Sequence, residues 1–189
     1  MAQVIYYFVE CSYNDPDTEV EWNAYYNFQK IPALLSVDGF MTSQRFRAVS
    51  KGCPDYLALH TLRDAEVLKS NNYRNQGGGN FSTWQGAITQ WRRSLYTAKT
   101  PAKAILNNEL LLLSHQPLSE LGIELGFEGV QMFALGGDIA FSQGVKYRLL
   151  AEVALQFREL PGVFIYEPLI PQYQSKPVNP SNINMLGLK

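Results

Sequence analysis

His60 and Arg45 are the two side chains whose type and setting best suit catalysis. His60 sits in YLALHTL (56–62), a run apolar enough for a central strand. Imidazole titrates close to neutrality, so an enclosed histidine can give or take a proton from a small phenolic or carbonyl compound. Strand alternation puts Tyr56, Ala58 and His60 on one face and Leu57, Leu59 and Thr61 on the other. The leucine pair suits packing beneath helices, so Tyr56 and His60 are expected to point away from them, into the space the sheet encloses. Arg45 lies in FMTSQRFRAV (40–49) and shares a face with Met41, Ser43 and Arg47. A guanidinium aimed into a cavity suits a carboxylate or a developing enolate. In VIYYFVE (4–10), Tyr6 is a pocket-lining candidate. Each also has a plainer reading: a hydrogen-bonded core histidine, a solvated or interface arginine, a packed tyrosine.

Other chemistries find little support. Cys11 and Cys53 are isolated, without the CxxC or Cys/His spacing of a zinc site. Two histidines, His60 and His115, are few for a multi-histidine centre, and no metal is expected. A haem-binding barrel would need one of them as axial ligand. QGGGN (76–80) lacks the Lys-Ser/Thr of a phosphate loop and reads as a mobile loop able to act as a lid. LSHQP sets a serine beside a histidine, an arrangement that rarely builds a triad, and the chain has no GxSxG elbow.

The elements that must hold these residues follow from patterning. VIYYFVE is β-branched and aromatic, a strand that NDPD ends. Asp15 before Pro16, or Thr18 with Glu21, opens a helix running to about Leu35. Val20, Ala24, Phe28, Ile31 and Leu35 recur at helical spacing as its apolar face. Pro32 is expected to push Ile31 from the helical region and kink the helix, and Gly39 releases the chain into the strand at 40–49. YLALHTL is a third strand. A shorter helix over 64–75, capped by Asp64, leads to a fourth strand near the end of FSTWQGAITQWRRSLYTA. The order βαββαβ is ferredoxin-like.

Helices cover one face of such a sheet. The other must be buried against a partner chain or a second copy within this one. The second half reads as a degenerate echo: strands at 109–115 and 129–137, a helix over 143–160 capped by Ser142, and a strand in LPGVFIYEPLI. Only QPLSELGIELGFE fills the place of its first helix. The divisions are 1–98, 99–170 and an extended arm over 171–189.

At 189 residues the chain can bury a sizeable core. A net charge of −1 removes the footprint of non-specific nucleic-acid binding. No apolar run reaches the roughly 18–20 residues that span a bilayer, and the start lacks a signal-peptide pattern, so a cytoplasmic protein is expected.

EWNAYYNFQKIPALLSVDGFMTSQRFRAV followed by PDYLALHTL resembles the dimeric α/β-barrel superfamily, in particular its EthD-like and related branches. Trp22, Tyr25, Tyr26, Ile31, Pro32, Gly39 and Phe40 carry the likeness, which covers residues 3–97. Relatives often have histidine before Ile/Leu-Pro; here the residue is Lys30. Lysine, with an ordinary pKa of about 10.4, becomes a base only if buried, and the plain reading of Lys30 is a solvated side chain. The resemblance implies an α+β fold, with a ferredoxin-like first half and a degenerate second half forming a barrel within the chain or across a homodimer. It further implies a cofactor-independent enzyme of isomerase, cyclase or monooxygenase type, acting on a small aromatic or polyketide-like molecule. His60 would be its acid or base and Arg45 would steady negative charge, with Tyr6, Tyr26, Lys30 and Tyr56 lining the substrate. The alternative is a non-catalytic ligand-binding or assembly protein. That reading expects His60 and Arg45 to be buried in packing, with no pocket between them.

Overall fold

The computed structural model of the chain describes residues 3–138 and 142–176. The first half supplies strands β1 (Val4–Tyr13), β2 (Phe40–Ala48), β3 (Tyr56–Leu62) and β4 (Ile88–Ala98). The second supplies β5 (Glu109–Ser114), β6 (Val130–Gly137), β7 (Gln143–Leu150) and β8 (Val163–Pro168). Spatial order is β2-β3-β1-β4 in the first half and β8-β5-β7-β6 in the second, the same ferredoxin-like permutation twice. The halves join at two seams, β4 with β6 and β2 with β8. Eight antiparallel strands thereby close into a ring without free edges. Closure is achieved within one chain. The sheet face that asked for a second chain is filled from within, and a homodimer would have to use the outer surface.

The ring is packed solid. Tyr6, Phe8, Leu57, Leu59, Tyr96, Leu111 and Tyr166 meet inside it, joined by Ala102 and Ile105 from the connection between the halves. Gln44 holds that connection: its amide donates to the carbonyls of Ile105 (2.8 Å) and Ile170 (3.0 Å) and accepts from the Ile105 N–H (3.0 Å). Small eight-stranded barrels have room for side chains and little else.

Outside the first half runs one helical stretch: α1 (Glu19–Tyr25), a π-helical turn (Tyr26–Lys30) and α2 (Ile31–Leu35). Ile31 stays helical at φ −61° and ψ −48°, so the expected departure at Pro32 does not occur there. The irregularity lies one turn earlier. Proline lacks an N–H and its ring crowds the carbonyl four residues back, and a widened turn accommodates both. The buried face also differs from the one expected. Val20 (80% exposed), Ala24 and Phe28 (66%) face outward, while Trp22, Tyr26, Lys30, Ile31 and Leu34 are buried. Ile31 and Leu35 of the expected face do meet the core, but burial of Trp22 and Tyr26 rotates its first two turns, Phe28 included, toward solvent.

The element over 64–75 divides into a 3₁₀ turn (Ala65–Lys69) and α3 (Asn71–Asn75). Asp64 caps the turn through the Glu66 and Val67 N–H groups, and Ser70 caps α3 through Tyr73 N–H. In the second half, the helix expected over 143–160 is instead β7 followed by the short α4 (Ala151–Ala154). Val145, Tyr147 and Leu149 alternate on its buried outer side, and pairing with β5 and β6 fixes the strand. The Ser142 carbonyl accepts from Ala134 N–H (2.8 Å), a ladder bond rather than a cap. Of the arm from Pro171, β9 (Tyr173–Gln174) pairs with β2, and residues 177–189 lie outside the described residues.

Candidate active site

Pairing register sets which face each side chain takes. His60 stands opposite Tyr7 of β1 and Ser43 of β2, and Ala58 opposite Val9 and Arg45. Tyr7, Tyr56 and Ala58 belong to the cluster beneath the helices, with Trp22, Tyr26, Leu34 and Tyr73. Leu57 and Leu59 lie inside the ring. The expected direction of His60 and Tyr56 is therefore reversed: they face the helix layer, where Tyr56 packs on Trp22 and His60 on Tyr7 and Phe40. Tyr6 is the exception among the candidates. It points inside and donates to the Thr100 carbonyl (2.7 Å), so the sheet separates it from the rest.

His60 is fully buried. Its Nδ1 lies 2.7 Å from Ser43 Oγ, and its Nε2 has no partner among the described residues. The imidazole packs on Tyr7 and edge-on to Phe40, each with centroids 5.5 Å away. Burial, and secondarily the Lys30 charge, pull its pKa down to about 3, which keeps the ring neutral. In the tautomer whose Nδ1–H donates to Ser43, the Nε2 lone pair is free to accept a proton.

This has a consequence for stability. Between pH 6.5 and about 3 the unfolded chain binds a proton at His60 that the folded chain refuses. Stability should fall by up to about 1.4 kcal/mol per pH unit as pH drops through that window, and this contribution is absent above it. Urea midpoints followed from pH 7 to pH 4 should fall less steeply in His60→Leu than in the wild type; parallel curves would contradict the assignment.

Above His60 is a tyrosine pair under a glycine roof. Tyr7 and Tyr73 hydroxyls are 3.1 Å apart, and the charge of Arg93, stacked on Trp91 at 5.2 Å, acts on both. Lys30 is buried, not solvated as expected. Its ammonium donates to the carbonyls of Gly77 (2.8 Å) and Asn80 and lies 5.1 Å from the Phe81 ring centre. Four-residue spacing from Trp22 through Tyr26, within the widened helix, aims it at the loop 76–80. Burial lowers its pKa to about 8. The closed loop leaves a cavity of about 10 Å³ lined by Tyr7, Tyr26, Lys30, Tyr73, Asn80 and Trp91 among others, room for about one water.

A Cβ on Gly78 would come within 2.4 Å of the Tyr73 ring. Gly78→Ala is accordingly expected to cost about 1–3 kcal/mol or to lift the loop. Urea unfolding and limited proteolysis, with faster cutting within 76–80, would register it.

Arg45 is also fully buried. Its guanidinium lies over Tyr26 at 4.1 Å, Trp22 at 4.9 Å and Tyr56 at 5.4 Å. Nη1 donates to Asn27 Oδ1 (2.7 Å), while Nε and Nη2 have no partner among the described residues. Burial brings its pKa down to about 10. The Tyr56 hydroxyl is held by Glu19 and by Asn23 (3.1 Å).

Five sequence candidates, Tyr26, Lys30, Arg45, Tyr56 and His60, thus share one layer between sheet and helix. Sequence reasoning missed Tyr7, Ser43, Tyr73 and Arg93. Ser43 was legible as a neighbour on Arg45's face; the tyrosine pair joins residues 66 apart and had no local signal.

In structure, the chain is similar to an anthrone oxidase-like protein, with TM-score 0.57, 10% identity and coverage of 93% of this chain and 94% of that one. It is also similar to a "putative monooxygenase" from Fusobacterium nucleatum subsp. nucleatum ATCC 25586, with TM-score 0.53, 11% identity and coverage of 93% and 95%. A protein of the same description from Lactobacillus acidophilus NCFM gives TM-score 0.50, 8% identity and coverage of 89% and 95%. No protein-family model matches the chain, and no curated protein matches it in sequence. At these identities the likeness is one of fold, and it takes in both halves. The chain has the α/β-barrel fold of these proteins, with the ring closed inside a single polypeptide.

Proposed function

We propose that the chain is a small-molecule monooxygenase of the dimeric α/β-barrel superfamily, related to its EthD-like branches and independent of an added cofactor. Its substrate would be a compact aromatic or polyketide-like compound bound between the first-half sheet and its helix. The observation that carries this is His60: buried, neutral, oriented by Ser43 and with Nε2 unpartnered. The names borne by the similar structures, anthrone oxidase-like and monooxygenase, point the same way. The anion formed beside the ring gives the imidazolium a counter-charge that the empty site lacks, so His60 can take a proton from an activated CH₂ or phenol. That anion is electron-rich enough to reduce O₂. Conversion of CH₂ to C=O consumes one O₂ and releases one water, so no further reductant is needed. Tyr7, Tyr73 and Arg93 offer donors and positive charge to the anion, and Arg45 adds to that field. Entry requires the loop 76–80 to leave Lys30, since the closed cavity holds about 10 Å³.

The same small cavity favours a second reading, in which His60 and Arg45 are core residues of a binding or assembly protein without activity. Oxygen uptake with a panel of anthrone-type and phenolic compounds separates the two. Uptake of one O₂ per ketone formed is expected. No uptake across the panel, with proteolysis at 76–80 unchanged by any compound, would favour the second reading. We also assign a homodimer through the exposed stripe of Val20, Ala24 and Phe28, readable by native mass spectrometry. Among the described residues no helix is long and apolar enough to cross a membrane, and we place the protein in the cytoplasm.

A further inference from the structure

A second cleft, in the other half of the ring, holds a lysine whose stem is buried and whose ammonium has no protein counter-charge among the described residues. Lys146 of β7 is 4% exposed and points to the same side as Arg148, opposite Leu113 of β5 and Val130 of β6. No hydrogen bond or ion pair engages its ammonium among the described residues. Together with Lys103 and Arg148 it lines a cleft of about 600 Å³. Burial, then repulsion from Arg148 and Lys103, lowers its pKa to about 8. Neither carboxylate at the cleft compensates it. Glu109 is taken up by Arg148 (3.4 Å) and by Leu106 N–H (3.0 Å), and Glu128 is exposed to solvent. Leu125, Phe127, Leu150 and Val153 make an apolar wall, with Phe127 and Leu150 about half exposed.

With its stem buried and no counter-charge from the described residues, the Lys146 ammonium reaches the cleft open to an incoming anion. Lys146 and Lys103, beside an apolar wall in a cleft of ligand size, therefore suit an anion with an apolar body. We propose that this cleft binds a small amphipathic carboxylate, an aryl or short alkyl acid. Its carboxylate sits on Lys146 with Lys103 at the rim, and its apolar body lies against Leu125 and Phe127. The site is distinct from the His60 layer and does not rest on the reaction proposed there.

Calorimetry of the full chain at pH 7 with 2-naphthoate and with neutral 2-naphthalenemethanol tests it. The acid should bind at least tenfold tighter; Lys146→Met should abolish the preference, and His60→Ala should keep it. A second measurement needs no variant. Limiting acetic anhydride acetylates wild-type lysines, and 2-naphthoate should shield Lys146 severalfold while 2-naphthalenemethanol does not. Equal affinity for acid and alcohol, a preference surviving in Lys146→Met or lost in His60→Ala, or unshielded Lys146 would each overturn the proposal.

Discussion

Replacing His60 by alanine is expected to lower kcat about a hundred- to ten-thousandfold on any compound the wild type oxygenates, the range that a positioned general base contributes. KM should move far less, because the base acts in the transition state and not in holding the ring of the substrate. Stability gives the control. The wild-type core carries an imidazole nitrogen that bonds to nothing among the described residues, and a buried unsatisfied acceptor costs about 1–3 kcal/mol. His60→Leu removes that nitrogen and keeps most of the volume, leaving only the Ser43 hydroxyl without its imidazole. Its urea midpoint at pH 7 should match or exceed the wild-type value while activity is lost. Activity and stability falling together would mark His60 as a packing residue.

Arg45 should separate volume from charge. Arg45→Ala empties a site walled by Trp22, Tyr26 and Tyr56 and strands the Asn27 side chain. Truncation of a large buried side chain of this kind costs about 3–5 kcal/mol. Arg45→Met fills much of the same space and removes a buried charge that has no carboxylate partner among the described residues. Exchanges of that type are neutral or stabilising in other cores, so the methionine variant should unfold near the wild-type midpoint. It should still lose oxygenation, because the positive field beneath the site is gone. A methionine variant as unstable as the alanine one would show that stacking of the cation on Tyr26, rather than occupied volume, holds the layer together.

Much of the ring could be read from local pattern. The third strand was bounded at 56–62 because an apolar run ends in polar turns on both sides, and β3 has those limits. The strands at 109–115 and in LPGVFIYEPLI were legible for the same reason. The direction of His60 was not. All seven residues of β3 are buried, so alternation carries no contrast between faces. At 143–160, Leu149, Val153, Phe157 and Leu160 satisfy helical spacing while Val145, Tyr147 and Leu149 satisfy a strand. Pairing with β5 and β6, remote in sequence, decides between them. Lys30 looked solvated because its partners are loop carbonyls 47 and 50 residues away, and a carbonyl leaves no trace in residue type.

Chemistry beneath α1 is tested most directly by ¹⁵N-histidine NMR of the full chain, whose two histidines, His60 and His115, give a spectrum that can be assigned. At pH 7 the His60 nitrogens should report a neutral ring with unprotonated Nε2. Adding an anthrone-type or phenolic ligand should shift the Nε2 resonance of His60 and leave His115 unchanged. A ligand that binds by calorimetry yet leaves the His60 resonances where they were would contradict the proposed site.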